Sequence, residues 1–395
     1  MKEAFSNSPA SPCRNKKLFS LIAILILAAN GAVANDGVFY ARGNHLIPIT
    51  ETEITVQKEI LSINRVGKSD YVEVMVYYEF FNPTDKEKTL LVGFEAAAPY
   101  PNEDLSRSPE HPNIHDFKVV MNGENLAFQV THAESTEGSD SSPSDYVYHF
   151  SASFKPGLNT VHHSYRFRMS SSVDMKYSIP YVLTAACRWG NHQIDDFTLN
   201  INMGDAESFS IYPGFYESID EWTINGVGKA DYTEFGGGEK SGRFHIREGG
   251  ITFHKKDFCP NGELFVFQEN AYWSVVGNED VILSEDIVSA AKEFYYDWTF
   301  LLGENIRSTS DDARILRNLP FAYHGYVFKS KDLRDYFEST GWYIPDPDYV
   351  ADVKKLSKKE KKWVARWCGA PKNLDINQED YARVKECDKH SNENP

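Results

Sequence analysis

From Asn35 to about Phe267 the chain is a succession of short β-rich runs broken by turn residues, and helical periodicity is scarce. This pattern confines more than half of the chain to sheet. Tyr71 to Phe81 (YVEVMVYYEFF) alternates polar and apolar positions and ends at Asn82-Pro83, where proline removes a ladder donor and stops the strand. Thr89 to Phe94 reads as its partner. Asn122-Gly123 accepts positive φ and predicts a tight hairpin between Phe117–Met121 and Leu126–Val130. Val161, His163, Tyr165, Phe167 and Met169 fall on one side of a half-buried strand. Phe197–Met203, Trp222–Ile224 before Asn225-Gly226, Phe244–Ile246 and Leu264–Gln268 continue the series at spacings suited to antiparallel pairing. The expected architecture is mainly β: an antiparallel β-sandwich body, in one or two lobes, over residues 35–282. Within it, the Ser-rich segment Glu134–Ser144 and the triplet Gly236-Gly237-Gly238 read as exposed turns.

After about Leu283 the period changes. Ile287, Val288, Ala291, Phe294, Tyr295, Trp298 and Leu302 recur at helical spacing, with Ser284 as cap and Glu285 and Asp286 in the first turn. This predicts a bridging helix over 283–304. Ser310-Asp311-Asp312 opens a short helix carrying Ile315 and Leu316, and Ser330 caps another carrying Leu333, Tyr336 and Phe337 before Gly341. Asp352–Trp367 reads as a third amphipathic helix, apolar at Val353, Leu356, Trp363, Val364 and Trp367. A small, mainly α-helical domain is therefore expected at 305–370, followed by a polar tail at 371–395.

Arg14, Lys16 and Lys17 precede the apolar stretch Leu18–Ala29, and Ala32-Val33-Ala34 supplies an A-x-A site. Residues 1–34 thus read as a Sec-type signal peptide, which places the mature chain in the periplasm or outside the cell. No later run is long and apolar enough to span a membrane. Four cysteines follow the leader, Cys187, Cys259, Cys368 and Cys387. Among their three possible pairings, Cys187 with Cys259 and Cys368 with Cys387 keep each disulfide within one expected domain. The 57 acidic against 41 basic side chains, a formal charge of -16, argue against a generic grip on nucleic acid or an anionic bilayer. Residues 305 to 395 hold 17 basic and 15 acidic side chains against 20 and 41 in residues 35 to 304. The lysines of Asp352–Trp367 are then a solvated face or a contact with the acidic body.

No residue set specifies a reaction, and no cofactor is expected. Ser289-Ala290-Ala291-Lys292 and Lys240-Ser241-Gly242 approximate two elements of penicillin-recognising enzymes, but in reversed order and without the third. Asn225–Lys229 lacks both the first glycine and the hydroxyl of a phosphate loop. Glu110, His111, His115 and Asp116 form the densest group of possible metal ligands, with His111, His115 and Asp116 the candidate set. His162 and His163 point to opposite faces if extended, as do Asp195 and Asp196, so neither pair can act on one atom from its own strand. An Asp195 or Asp196 carboxylate beside Glu79 or Glu95 would give a glycosidase pair, which linear order does not indicate.

Leu316-Arg317-Asn318-Leu319-Pro320-Phe321-Ala322-Tyr323-His324-Gly325-Tyr326-Val327-Phe328, followed by Leu333, Tyr336-Phe337 and Trp342-Tyr343, resembles the YARHG domain over about residues 308–368. Phe321 stands where that family usually has tyrosine, and Tyr323 where it usually has arginine. The resemblance makes Phe321, Tyr323, His324, Trp342 and Tyr343 the candidate binding residues. Upstream, Leu46-Ile47-Pro48, Tyr77–Pro83, Val92–Glu95 and Met121–Gly123 are similar to an uncharacterised domain family of exported bacterial proteins. Together the resemblances imply a bacterial envelope protein. The expectation is a secreted, non-enzymatic binding or interaction module for an envelope protein or polysaccharide. Its rival is an envelope hydrolase acting on glycan or peptide, whose carboxylates or histidines converge only in three dimensions.

Overall fold

The computed structural model describes residues 33–42, 45–49, 51, 53–96, 111–132, 146–172, 174–235, 239–269, 282–293, 301–302, 306–307 and 310–368. The leader up to residue 32, Glu110, the expected turns at 134–144 and 236–238, and the tail with Cys387 lie outside these residues.

In chain order the strands are β1 (Val33–Arg42), β2 (His45–Ile49), β3 (Thr55–Arg65), β4 (Tyr71–Asn82), β5 (Lys88–Ala96), β6 (Ile114–Met121), β7 (Glu124–Asn125), β8 (Phe128–His132), β9 (Tyr146–Phe154), β10 (Gly157–Arg168), β11 (Met175–Val182), β12 (Ile194–Asn202), β13 (Glu207–Ile211), β14 (Trp222–Phe235), β15 (Glu239–Phe258), β16 (Leu264–Glu269), β17 (Ile282–Leu283) and β18 (Ile306–Arg307). The helices are α1 (Ser284–Glu293), α2 (Ser310–Tyr323), α3 (Lys331–Glu338) and α4 (Lys358–Trp367). The body is one continuous sheet in the order β7-β6-β10-β4-β3-β12-β15-β13-β16-β11-β1-β5-β9-β8, with β14 added on β15 and β2 on β1. Pairing is antiparallel except for β12 on β3 and β1 on β11.

The sheet folds over on itself, so the sandwich expected from the pattern forms between distant stretches of one sheet. Phe117 of β6 packs at 4.9 Å from both Phe128 of β8 and Tyr148 of β9, and Phe80 of β4 lies 5.3 Å from Phe154 of β9. Trp189, on the short 3-10 turn after β11, closes this aromatic layer at 4.5 Å from Phe80. A second aromatic group, Phe215, Trp222, Phe253 and Phe258, fills the space between β14, β15 and the loop after β13. Each such ring, fully buried, contributes roughly 1.5–3 kcal/mol.

Several local expectations are met. Val161, His163, Tyr165, Phe167 and Met169 are all buried on one face. Asn122 and Gly123 take φ of 52° and 85°, and they turn the chain between β6 and β7. Other pairings differ from the reading. The partners of β4 are β3 and β10, whereas the Thr89–Phe94 run lies in β5 and pairs with β1 and β9. After the 122–123 turn Glu124 and Asn125 pair back and Leu126 N donates to Val119 O at 3.0 Å, while Phe128–His132 joins β9 instead. Asn225-Gly226 does not end a strand. Gly226 (φ 126°) and Gly249 (φ 96°) face each other across the ladder, and β14 runs on through a bulge at Val227/Gly228.

The helical part has its own core, centred on Leu316, Leu319, Phe337, Trp342 and Trp363. α1 belongs to it: Ile287 and Ala291 are buried there, Trp342 Nε1 donates to Ala291 O at 2.6 Å and Tyr336 Oη to Val288 O at 2.6 Å. The stretch read as one helix from Asp352 is interrupted. A 3-10 turn at Val353–Lys355 is followed by a fresh start at Ser357, whose hydroxyl and Glu360 carboxylate cap each other's backbone amides. Pro320 sits inside α2. Its missing N–H would orphan the carbonyl of Leu316, and Trp363 Nε1 of α4 donates to that oxygen at 2.7 Å.

Candidate functional site

β15 runs between β13 and β14, and its register sets directly opposed residues. Ser208 and Ser210 of β13 face His245 and Arg243, while Lys229 and Asp231 of β14 face His245 and Arg243 from the other side. Side chains alternate along a strand, so these positions and Arg247 share one face, opposite the buried Phe209, Phe244 and Ile246. A polar patch thus rests on an aromatic core.

Its groups are tightly connected. Arg243 grips Asp231 with two bonds, Nε to Oδ1 at 2.8 Å and NH2 to Oδ2 at 3.0 Å. His245 is 2% exposed, with Nδ1 2.7 Å from Ser208 Oγ and Nε2 3.5 Å from Asp231 Oδ1. Burial tends to raise the Asp231 carboxyl, but the His245 and Arg243 side chains outweigh it and hold the group well below the ordinary carboxylate range. Burial lowers His245 below the usual imidazole value despite Asp231, and it lowers Lys229 as well.

The helical domain seats directly on this patch. An added Cβ on Gly341 would stand 2.8 Å from Asp231 Oδ2, 3.3 Å from Arg243 NH2 and 3.6 Å from His245 Nε2. Lys229 Nζ donates to Thr340 O at 3.4 Å. Arg247 donates to Pro345 O at 3.3 Å and lies 3.5 Å from the Asp346 carboxylate. Two concavities adjoin the patch. One, of about 260 Å³ including its mouth, lies at the seam between Glu207, Ser208 and His245 of the body and Tyr323 and Trp342 of the helical part. The other, of about 310 Å³ including its mouth, lies within the body beside Ser208, Ser210, Arg243, His245, Gln268 and Glu269.

Of the residues singled out by sequence, Tyr323 and Trp342 line the seam and touch each other edge to face at 4.5 Å. Phe321 and Tyr343 are buried in the helical core, with Tyr343 Oη donating to Tyr326 O at 2.9 Å. His324 Nε2 lies 2.8 Å from Glu360, the cap residue of α4, and its ring stacks on Tyr349. Gly325 beside it has φ 83°, and a Cβ there would meet Ile344 O at 2.8 Å, so both conformation and space require glycine. His111 is buried, its Nδ1 accepting from Asn113 N at 3.1 Å. His115 packs on Tyr71, and Asp116 lies 3.7 Å from Arg166. Among the described residues no group of three or more His, Cys, Asp or Glu side chains is arranged to hold a metal. Cys187 and Cys259 bring their sulfurs to 3.8 Å, a contact longer than a disulfide, and Cys368 follows α4 against the helical core.

Ser208, Asp231, Arg243, His245 and Arg247 were not singled out by sequence, because three strands must pair before they meet. The one local trace is the alternation Arg243-Phe244-His245-Ile246-Arg247, polar on the face that the helical domain covers. The Ser208–His245–Asp231 row has the residue types of a hydrolytic triad. Its geometry differs: Ser208 is 6% exposed, and Asp231 is already committed to Arg243.

The helical segment matches a known family. The YARHG domain model matches residues 303–367. The seam is thus formed between the YARHG domain and the sheet. A second model, a domain of unknown function (DUF4424), matches residues 34–144, the first strands of the body. No curated protein matches the chain. Among solved structures it is similar to a Legionella pneumophila protein whose description proposes nutrient binding, with 17% identity and a TM-score of 0.45 over 87% of this chain and 99% of that one. It is also similar to an M1 zinc metallopeptidase from Deinococcus radiodurans, with 12% identity and a TM-score of 0.26 over 57% of this chain and 44% of that one. Native leukotriene A4 hydrolase from Saccharomyces cerevisiae gives 9% identity and a TM-score of 0.27 over 55% and 29%. Likenesses this low assign no activity to the chain. No helix among the described residues is long and apolar enough to cross a membrane.

Proposed function

We propose that this chain is an exported bacterial envelope protein that binds its ligand without transforming it, and that its YARHG domain serves as the cover of the binding region. In this reading residues 1–34 are removed on export, and with them Val33 and Ala34, the residues through which β1 pairs with β11. Cys187 with Cys259 and Cys368 with Cys387 form disulfides in the oxidising compartment, and the partner is an envelope protein, a polysaccharide or a solute they release. The observation that carries the reading is the seating of Gly341 over Asp231, Arg243 and His245. A hydrolase needs its nucleophile within reach of a substrate carbonyl, with donors aimed at the developing oxyanion. Here the hydroxyl beside the imidazole is buried and the carboxylate is neutralised by an arginine.

The rival reading of an envelope hydrolase draws on the Ser208–His245–Asp231 row. A fluorophosphonate probe separates the two. We expect the mature protein to resist labelling at Ser208, while at least one class of envelope solute raises its melting temperature in a saturable way. Covalent labelling of Ser208, or turnover of a peptide or glycan that Ser208→Ala abolishes, would overturn the binding reading.

A further inference from the structure

We propose that the cavity beside Ser208, Gln268 and Glu269 is a seat for a small primary ammonium group. This deepens the binding reading above and rests on it. Gln268 is 6% exposed. Its Nε2 donates to Ser208 O at 2.8 Å, and this fixes the orientation of the amide, because the reversed group would set oxygen against a carbonyl oxygen. Oε1 is therefore turned away from that carbonyl, buried and without a hydrogen-bond partner among the described residues. A buried acceptor in this state calls for a donor.

Two further acceptors line the same cavity. His245 Nδ1 lies 2.7 Å from the Ser208 hydroxyl and Nε2 3.5 Å from the Asp231 carboxylate; in the tautomer with its proton on Nε2, facing that carboxylate, Nδ1 accepts from the hydroxyl. The lone pairs of Ser208 Oγ are then left for a ligand. Glu269, at the end of β16, adds a half-buried carboxylate. Burial raises its pKa, against a smaller opposing pull from the Arg243 charge. Arg243 borders the cavity too, but its charge is matched by Asp231 through two bonds. An anion entering here would meet Glu269 and the amide oxygen. A primary ammonium brings three N–H donors and one positive charge, which match a hydroxyl, an amide oxygen and a carboxylate. The enclosed part of the cavity is small, which suits a small head group.

The test uses the full mature chain and calorimetry at fixed ionic strength with methylammonium, glycine, tetramethylammonium and acetate. Methylammonium and glycine are expected to bind and to compete with each other. Tetramethylammonium, of equal charge but without N–H donors, and acetate are expected not to bind. Gln268→Leu and Glu269→Gln should each weaken methylammonium at least tenfold. Circular dichroism establishes that each variant is folded. Equal binding of tetramethylammonium, undiminished binding in folded Gln268→Leu, or no binding of either amine would overturn the ammonium seat. If neither amine binds while a sugar or a carboxylate saturably stabilises the protein, the ammonium seat falls and the broader binding reading stands.

Discussion

His163 lies fully buried among aromatic rings, with the centroids of Tyr78, Phe94 and Phe117 at 5.8, 5.9 and 6.0 Å. Burial, with a smaller contribution from His162, pushes its pKa down to about 3. The imidazole is thus neutral in the fold and protonated in the unfolded chain below about pH 6.5. Its contribution to stability is complete above that pH and is lost as the pH falls from about 6.5 to about 3, at roughly 1.4 kcal/mol per pH unit. His163→Phe, which suits an aromatic surround, should flatten the acid limb of stability by about that slope. Urea unfolding between pH 6.5 and 4 measures it, and an unchanged slope would show that His163 takes up a proton within the fold. The same residue shows what single positions disclose. Its place on the buried face was readable from the alternation with Val161 and Tyr165, whereas the depth of its burial depends on Phe94 and Phe117, which come from other strands.

At the scale of elements, Trp363 and Pro320 form a coupled pair. The proline takes a donor out of α2, and the indole of α4 restores it at the Leu316 carbonyl. Trp363→Phe should cost about 1–3 kcal/mol through the buried unpaired carbonyl alone. In a Pro320→Ala background, where residue 320 again has an N–H, the same change should cost measurably less. Chemical denaturation of the four proteins of this double-mutant cycle gives the coupling, and strictly additive losses would rule the exchange out. Elements as such were largely legible: the sandwich-type body, α1, α3 and the hydrophobic face of α4 follow from period and capping residues. Strand partners were not. Thr89–Phe94 carries the same β-rich composition as β3, and nothing local tells which of them lies beside β4. The break at Ser357 was hidden because Val353 and Leu356 continue the apolar spacing of the helix that follows.

For the whole molecule, charge works in a different sense from its distribution along the chain. The body is the acidic part, yet its contacts to the YARHG domain are made by basic side chains, Lys229 and Arg247, which meet backbone carbonyls and Asp346. Lys354, Lys355, Lys358 and Lys359 are exposed instead, as a solvated face. The candidate patch was illegible for the same reason: Ser208, Asp231, Arg243 and His245 meet only when three strands align, and Gly341 reaches them from another domain. The seating of the YARHG domain on this patch depends on residue 341 having no side chain. Spin labels carried on unnatural side chains at exposed Leu158 of the body and exposed Val350 of the helical domain would report the seating through their distance distribution. One narrow distance in the wild-type chain, broadened by Gly341→Leu, is the predicted result. A broad distribution in the wild-type chain, or a narrow one that Gly341→Leu leaves unchanged, would contradict it.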